Sequence, residues 1–215
     1  MFLAIDTSTG TGVALVDGTG KIRASRVLED TRRHVEVVGT FIQEVLSETG
    51  TAPAQVTAVA AGMGPGPFTG LRIGIAAARA FGQGAHIPVI PLVSHDALAL
   101  EWYENGGTGE LLVTTDARRR ELYWSRYTGL DTDGIPVRVA GPSLDRPDDL
   151  DAAETARLAD GTAAPHRVDA AGIPAGALGV LALRVQTTGR EHAADEALYL
   201  RPPDIAAQGP RKRVS

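Results

Sequence analysis

Residues 1–18 read MFLAIDTSTGTGVALVDG, and residues 111–129 read LLVTTDARRRELYWSRYTG. Each stretch opens with an apolar run ending in an acid, Asp6 or Asp116, and then enters a second apolar run. After Asp6 comes a short polar turn, then Val13–Val16, the turn signal Asp17-Gly18, and an alternating stretch over 21–28. That is a three-stranded meander. Val35, Val38, Phe41, Ile42, Val45 and Leu46 then follow at helical spacing, which predicts a helix over 32–49, stopped by Gly50 and Pro53. Residues 56–63 read as a buried strand, and Gly64-Pro65-Gly66-Pro67 as a stiff loop setting the angle into a helix over 70–82. Residues 89–90 are a short strand, and Ser94 is expected to cap a helix over 96–103.

The Gly-rich stretch 105–109 is the natural breakpoint, and beyond it the opening pattern recurs. Strands are expected over 111–115, 121–127 and 137–140, with a turn at 129–134 and a helix over 177–184. Residues 142–176 predict only short helices and loops. The division is a first lobe over 1–104, a smaller second lobe over 105–204 and a flexible basic tail over 205–215. Two βββαβα-type halves, each with an acid at the end of its first strand, resemble a known fold class: α/β, a duplicated ribonuclease-H-like (actin-like) architecture, here with a reduced second lobe. In active members of that architecture the paired hairpins face each other across a cleft and clasp nucleotide phosphates.

Composition narrows the chemistry. The chain has 215 residues, no cysteine and a net charge of -5. The lack of cysteine excludes disulfides, thiol nucleophiles and cysteine-ligated metals. There is no apolar run long enough for a membrane span, so the expectation is a cytoplasmic protein with no membrane partner. Residues 1–100 carry 7 basic and 8 acidic side chains, and residues 101–215 carry 14 and 18. Such an acidic body does not advertise strong nucleic-acid binding by the chain alone.

Asp6, Thr7, Ser8 and Asp116 occupy the positions of a phosphate-holding pair of hairpins. An active hairpin normally follows its acid with glycine so that the backbone approaches the phosphates. Ala117 and three arginines follow Asp116 instead, so the cleft reads as vestigial. The loop before the second helix lacks a P-loop lysine, Leu71 and Arg72 standing after Gly70. None of His34, His86, His95, His166 and His192 forms an H-x-x-x-H metal spacing, and His34 is expected at the surface or in an interface. Ser94, His95 and Asp96 are consecutive, which rules out a triad among themselves. Trp102, Tyr103, Tyr123, Trp124 and Tyr127 are expected to pack between the halves. The helix over 70–82 is built almost wholly from small residues, which predicts close approach of another backbone, either the helix over 32–49 or a second subunit.

The segments AIDTST, RRHVE, GMGPGPFTGLRIG, DARRRELYW and YLRP together resemble the TsaB family, the third being the most specific. The resemblance implies a non-catalytic subunit of the bacterial machinery that makes threonylcarbamoyladenosine in tRNAs. It implies pairing with a catalytic TsaD-like paralogue, an added TsaE-like ATPase, a homodimer through the same helices, and tRNA reached through the complex. It also implies no cofactor in this subunit, with metal and ATP held by the partners. The interface it assigns consists of Arg33, His34, Val37, Val38, Phe41, Pro65, Phe68, Thr69, Leu71, Arg72, Gly74, Ile75 and Ala78. The competing reading is an ATP-dependent small-molecule kinase of the same architecture, resting on Asp6, Thr7 and Asp116. A third, a metallopeptidase, lacks any ligand constellation.

Overall fold

The computed structural model describes residues 1–30, 33–161, 163–190 and 193–201. The expected helix start at Arg32, together with His192, Pro202, Pro203 and the basic tail, lies outside the described residues. The first sheet has the order β3-β2-β1-β4-β5. Its strands are β1 (Phe2–Asp6), β2 (Thr11–Val16), β3 (Ile22–Leu28), β4 (Ala58–Gly62) and β5 (Val89–Leu92). β1 pairs antiparallel with β2 and parallel with β4. The second sheet has the order β8-β7-β6-β9, from β6 (Leu111–Asp116), β7 (Leu122–Leu130), β8 (Pro136–Asp145) and β9 (His166–Ala170). β6 again pairs antiparallel with the following strand and parallel with a later one. Order and direction repeat, with four strands in place of five. The fold is therefore the expected duplicated α/β architecture, and the two sheets fall on either side of the 105–109 break.

Every residue of β1 is buried because the strand is covered on both faces. Leu3 and Ile5 join Val13, Leu15, Val59 and Ala61 beneath α1 (His34–Glu48) and α2 (Phe68–Ala85). Phe2 and Ala4 join Ala14, Val16, Ala58 and Ala60 on the other face, beneath α3 (Ser94–Glu104) and α5 (Ala175–Thr188). The second core continues without a break into Leu111, Val113 and Tyr127 of the second sheet. The outer face of that sheet is met by α4 (Pro147–Arg157), whose Glu154 pairs with Arg126 of β7. The layers thus run helix, sheet, helix, sheet, helix. Nearly the whole of α5 is buried, as a helix between two sheets must be, and Gly179 lets it close on Ala4 and Val16.

Several boundaries differ from the sequence reading. Residues 142–176 are more ordered than expected: they hold the end of β8, α4 and β9. The helix after β5 begins at Ser94, and no side chain caps it. Ser94 is instead engaged with Asp6, as described below. Its neighbour His95 is fully buried, with ring nitrogens 2.9 Å from Ser125 Oγ and 3.0 Å from Thr115 Oγ1. Asp96 accepts a 2.7 Å hydrogen bond from the Tyr127 hydroxyl. Three consecutive residues of α3 therefore serve three different places, two of them in the second sheet. Tyr127 is buried between the halves as expected, and Trp102 packs beside Tyr103 and stacks on His166 of β9.

Burial pushes the His95 imidazole down to about 3 from its ordinary 6.5, with the Arg138 charge adding to the effect. The folded chain keeps this ring neutral while the unfolded chain takes up a proton below pH 6.5, so acidification favours unfolding. Stability should fall between pH 6.5 and about 3 with a slope of up to about 1.4 kcal/mol per pH unit from this one group. Urea unfolding across that range checks this, and His95→Gln should show a distinctly shallower dependence.

Candidate functional site

The turn after β1 carries three of the four phosphate-site candidates, and all three are sealed. The Asp6 Oδ1 atom accepts the Ser8 N–H at 2.8 Å and the Ser8 hydroxyl at 2.6 Å. Its Oδ2 accepts the Ser94 hydroxyl at 2.5 Å. Burial pushes the Asp6 carboxyl above the usual carboxylate range, and the hydrogen bonds from Ser8 and Ser94 oppose that shift. The Thr7 hydroxyl donates to the Gly70 carbonyl at 2.6 Å and accepts the Gly74 N–H at 2.9 Å. Asp6, Thr7 and Ser8 are 1%, 1% and 2% exposed.

Glycines make this closure possible. A Cβ on Gly66 would lie 2.8 Å from the Ser8 backbone, and one on Gly70 would lie 2.5 Å from the Thr7 carbonyl. On Gly74 it would overlap Thr7 Oγ1, and on Gly62 it would overlap Asp6 Oδ2. The 64–67 loop is held from below by Ser94, which accepts the Gly64 N–H at 3.1 Å and donates its own N–H to the Gly64 carbonyl at 2.8 Å. The small residues of α2 thus answer to the Thr7–Ser8 turn. The expected contact with the helix over 32–49 is present, since α1 packs on α2, but the backbone in closest approach belongs to the turn after β1.

The fourth candidate, Asp116, sits differently. It is exposed and accepts the Arg118 N–H at 2.8 Å. A cavity of about 230 Å³ separates the two turns, bordered by Ser8, Thr9, Glu29, Pro67, Asp116, Arg118, Ala170 and Ala171. Thr7 and Asp6 do not border it. At the first hairpin the Ser8 N–H and hydroxyl are spent on Asp6 and the Thr7 hydroxyl on the Gly70 carbonyl, and the second hairpin presents a carboxylate with Ala117 and Arg118 after it. These residues do not fit a clasp for a triphosphate. Among the described residues there is also no group of three or more His, Asp or Glu placed to hold a metal ion.

His34 is buried, not at the surface: its Nδ1 lies 2.8 Å from Thr11 Oγ1, and burial lowers its pKa. Of the other expected interface residues, Val37, Val38, Pro65, Leu71, Gly74, Ile75 and Ala78 are likewise buried against the chain's own core or turn. A partner meeting this conformation reaches Arg33, Phe68, Thr69 and Arg72, which are exposed, and Phe41, which is half-buried. The sequence reading missed α1 residues on the open side: Val35 is 74% exposed, and Gly39 and Thr40 are exposed.

It also missed a strap formed by residues 193–201. Ala193 N–H donates to the Pro91 carbonyl and Leu198 N–H to that of Met63. Asp195 pairs with Arg79 at 2.8 Å, and the Tyr199 ring lies 4.9 Å from that of Phe68. Arg201 then reaches Glu121 in the second half. The YLRP motif was the only signal for this strap.

A family model described as TsaD: tRNA N6-adenosine threonylcarbamoyltransferase matches residues 21–209. An uncharacterized protein of Mycobacterium leprae is 42% identical over 153 residues, which is 69% of this chain and 40% of that protein. The tRNA threonylcarbamoyladenosine biosynthesis protein TsaB of Escherichia coli is 37% identical over 134 residues, 62% of this chain and 57% of that protein. The match thus spans less than two thirds of the length of either relative. The crystal structure of a Pseudomonas aeruginosa protein, described as uncharacterized with similarity to the peptidase YeaZ, superposes with a TM-score of 0.74 at 28% identity. It covers 93% of this chain and 99% of that one. Among the described residues, no helix is long and apolar enough to cross a membrane.

Gly74→Ala should destabilise the chain by about 1–3 kcal/mol, because the methyl group overlaps the Thr7 hydroxyl in a closed space. Combined with Thr7→Ala, the loss should be clearly less than the sum of the two single losses, since the clash disappears with the hydroxyl. Urea unfolding of the four-member cycle measures this.

Proposed function

The chain belongs to the TsaB family, and from that membership we propose that it serves tRNA threonylcarbamoyladenosine biosynthesis as a docking subunit rather than as the transferring enzyme. Its partner in this reading is a TsaD-like paralogue, which supplies the chemistry and the metal, with a TsaE-like ATPase joining the assembly and tRNA entering through the complex. The observation that carries the reading is the sealed Thr7–Ser8 turn: the polar groups that would meet a nucleotide are turned inward to hold α2.

The open faces of α1 and α2 support the same reading. The two helices pack against each other and cover one face of the first sheet. Outward they present Val35, Gly39, Thr40, Gln43 and Ser47 on α1, and Thr69, Ala76, Ala80 and Gly84 on α2. Glycine within a helix costs about 1 kcal/mol relative to alanine. At Gly74 the turn after β1 explains that cost. At Gly39 nothing among the described residues does, because a Cβ there would meet none of their atoms within 4 Å. A flat, small-residue surface of two helices suits close packing by helices of another subunit. Phe68, 48% exposed, adds apolar area at the start of α2.

Gly39 also gives the test. Gly39→Ala should raise stability by about 0.5–1 kcal/mol on helix propensity alone. Gly39→Trp or Thr40→Trp should fold normally yet lose co-purification with the TsaD-like paralogue. A complex that survives both tryptophans overturns the proposed face. Tight MgATP binding by the isolated chain in a calorimetric titration would instead favour the kinase reading.

A further inference from the structure

The turn joining β6 to β7 combines unusual chemistry with unusual backbone. Arg118, Arg119 and Arg120 have φ of 64°, 56° and 61°, so three consecutive residues lie in the left-handed region. That region is unfavourable for any residue with a Cβ, and turns normally place glycine or asparagine there. The turn is closed by the Ala117 N–H to the Glu121 carbonyl at 3.0 Å and the Glu121 N–H to the Arg118 carbonyl at 3.1 Å. A glycine at any of the three positions would relieve the backbone. Three arginines stand there instead, and all three are exposed.

A fourth guanidinium joins them. Arg201, at the end of the strap, donates to the Arg118 carbonyl at 3.3 Å and pairs with Glu121. Asp116, Glu121 and Glu29, which borders the same cavity as Asp116 and Arg118, offset much of this charge, but within a chain of net charge -5 the exposed guanidiniums of Arg118, Arg119 and Arg120 remain gathered on one turn beside the cavity between the halves. Arg118 lies 3.7 Å from Asp116, and both side chains are more than half exposed. Arg118 and Arg119 take part in further interactions within the chain. Exposed ion pairs of this kind are weak and exchange readily for a stronger anion.

We propose that the 118–120 turn is an RNA-backbone contact, in which the guanidinium groups grip neighbouring phosphodiesters of the tRNA while the paralogue acts on it. The planar fork of arginine matches a phosphate, and cations on successive residues suit a polymer that carries one charge per nucleotide. An acidic protein surface offers no such regular repeat. The acidic remainder of the chain keeps non-specific attraction low, so the contact positions RNA without reading its sequence. The identity of the polyanion rests on the function proposed above; the geometry of the cluster does not.

The test replaces the three arginines together: Arg118→Gly, Arg119→Gly and Arg120→Gly. Glycine accepts the left-handed conformation, so this variant should fold with an unchanged or higher Tm, and loss of binding will not reflect unfolding. Anisotropy of a fluorescent unmodified tRNA transcript is followed from 50 to 200 mM salt, with the chain alone and with its TsaD-like partner. The expected result is an affinity lower by about tenfold or more at 50 mM salt, with the slope of log K against log salt reduced by roughly 2. Arg→Lys at all three positions should keep most of the slope. Unchanged affinity and slope in the glycine variant overturn the proposal. So does loss of the paralogue with tRNA binding by the chain alone intact, which would make the turn a protein contact. A chain that binds tRNA through this turn but never pairs with a paralogue would sink the docking function and leave the RNA contact standing.

Discussion

The structure depends on one insertion: the Thr7–Ser8 turn fills a socket lined by Gly62, Gly66, Gly70 and Gly74. Gly66, Gly70 and Gly74 each remove a side chain that would otherwise collide with the turn, Gly62 does the same for the Asp6 carboxylate before it, and the Thr7 and Ser8 hydroxyls are satisfied on arrival. The Thr7 hydroxyl both donates and accepts on α2, and the Asp6 carboxylate draws in Ser8 and Ser94. A buried carboxylate with no donors would be costly. With three donors around it, Asp6 instead ties β1, its own turn and α3 together. This closure has a functional side, since the Thr7 hydroxyl and the Ser8 N–H and hydroxyl are all engaged within the chain.

The two halves are joined as firmly as either is built. α3 belongs to the first half by sequence, yet His95 and Asp96 bond to Thr115, Ser125 and Tyr127 of the second sheet. α5 belongs to the second half and buries its side chains on β1 and β2. This exchange of helices leaves one apolar core running through both sheets.

Much of the architecture was legible because its central strands are covered on both faces and so read as unbroken apolar runs. The recurrence of such a run with a terminal acid at Asp6 and Asp116 disclosed the duplication. β9 was not legible, since HRVDA is a half-exposed strand with charged residues and its pairing with β6 is the only thing that makes it a strand. The short helices expected over 142–176 include α4, but its position was not legible, since Leu150 is its lone buried apolar residue. At the site, glycine spacing on α2 announced a close approach but could not name its partner. Ser94 illustrates the reason: local rules favour a helix cap, whereas its actual acceptor, Asp6, is 88 residues away. His34 followed the same pattern, because Thr11 is distant in sequence and no local periodicity points to it.

The burial of α5 against β1 and β2 also bears on how the molecule comes into being. Strands made within the first sixteen residues keep one face uncovered until residues 175–188 have been synthesised. Long-range pairing of this sort slows folding and leaves apolar surface exposed in the meantime. The nascent chain must therefore carry a half-covered first sheet until α5 has been made and closes over it.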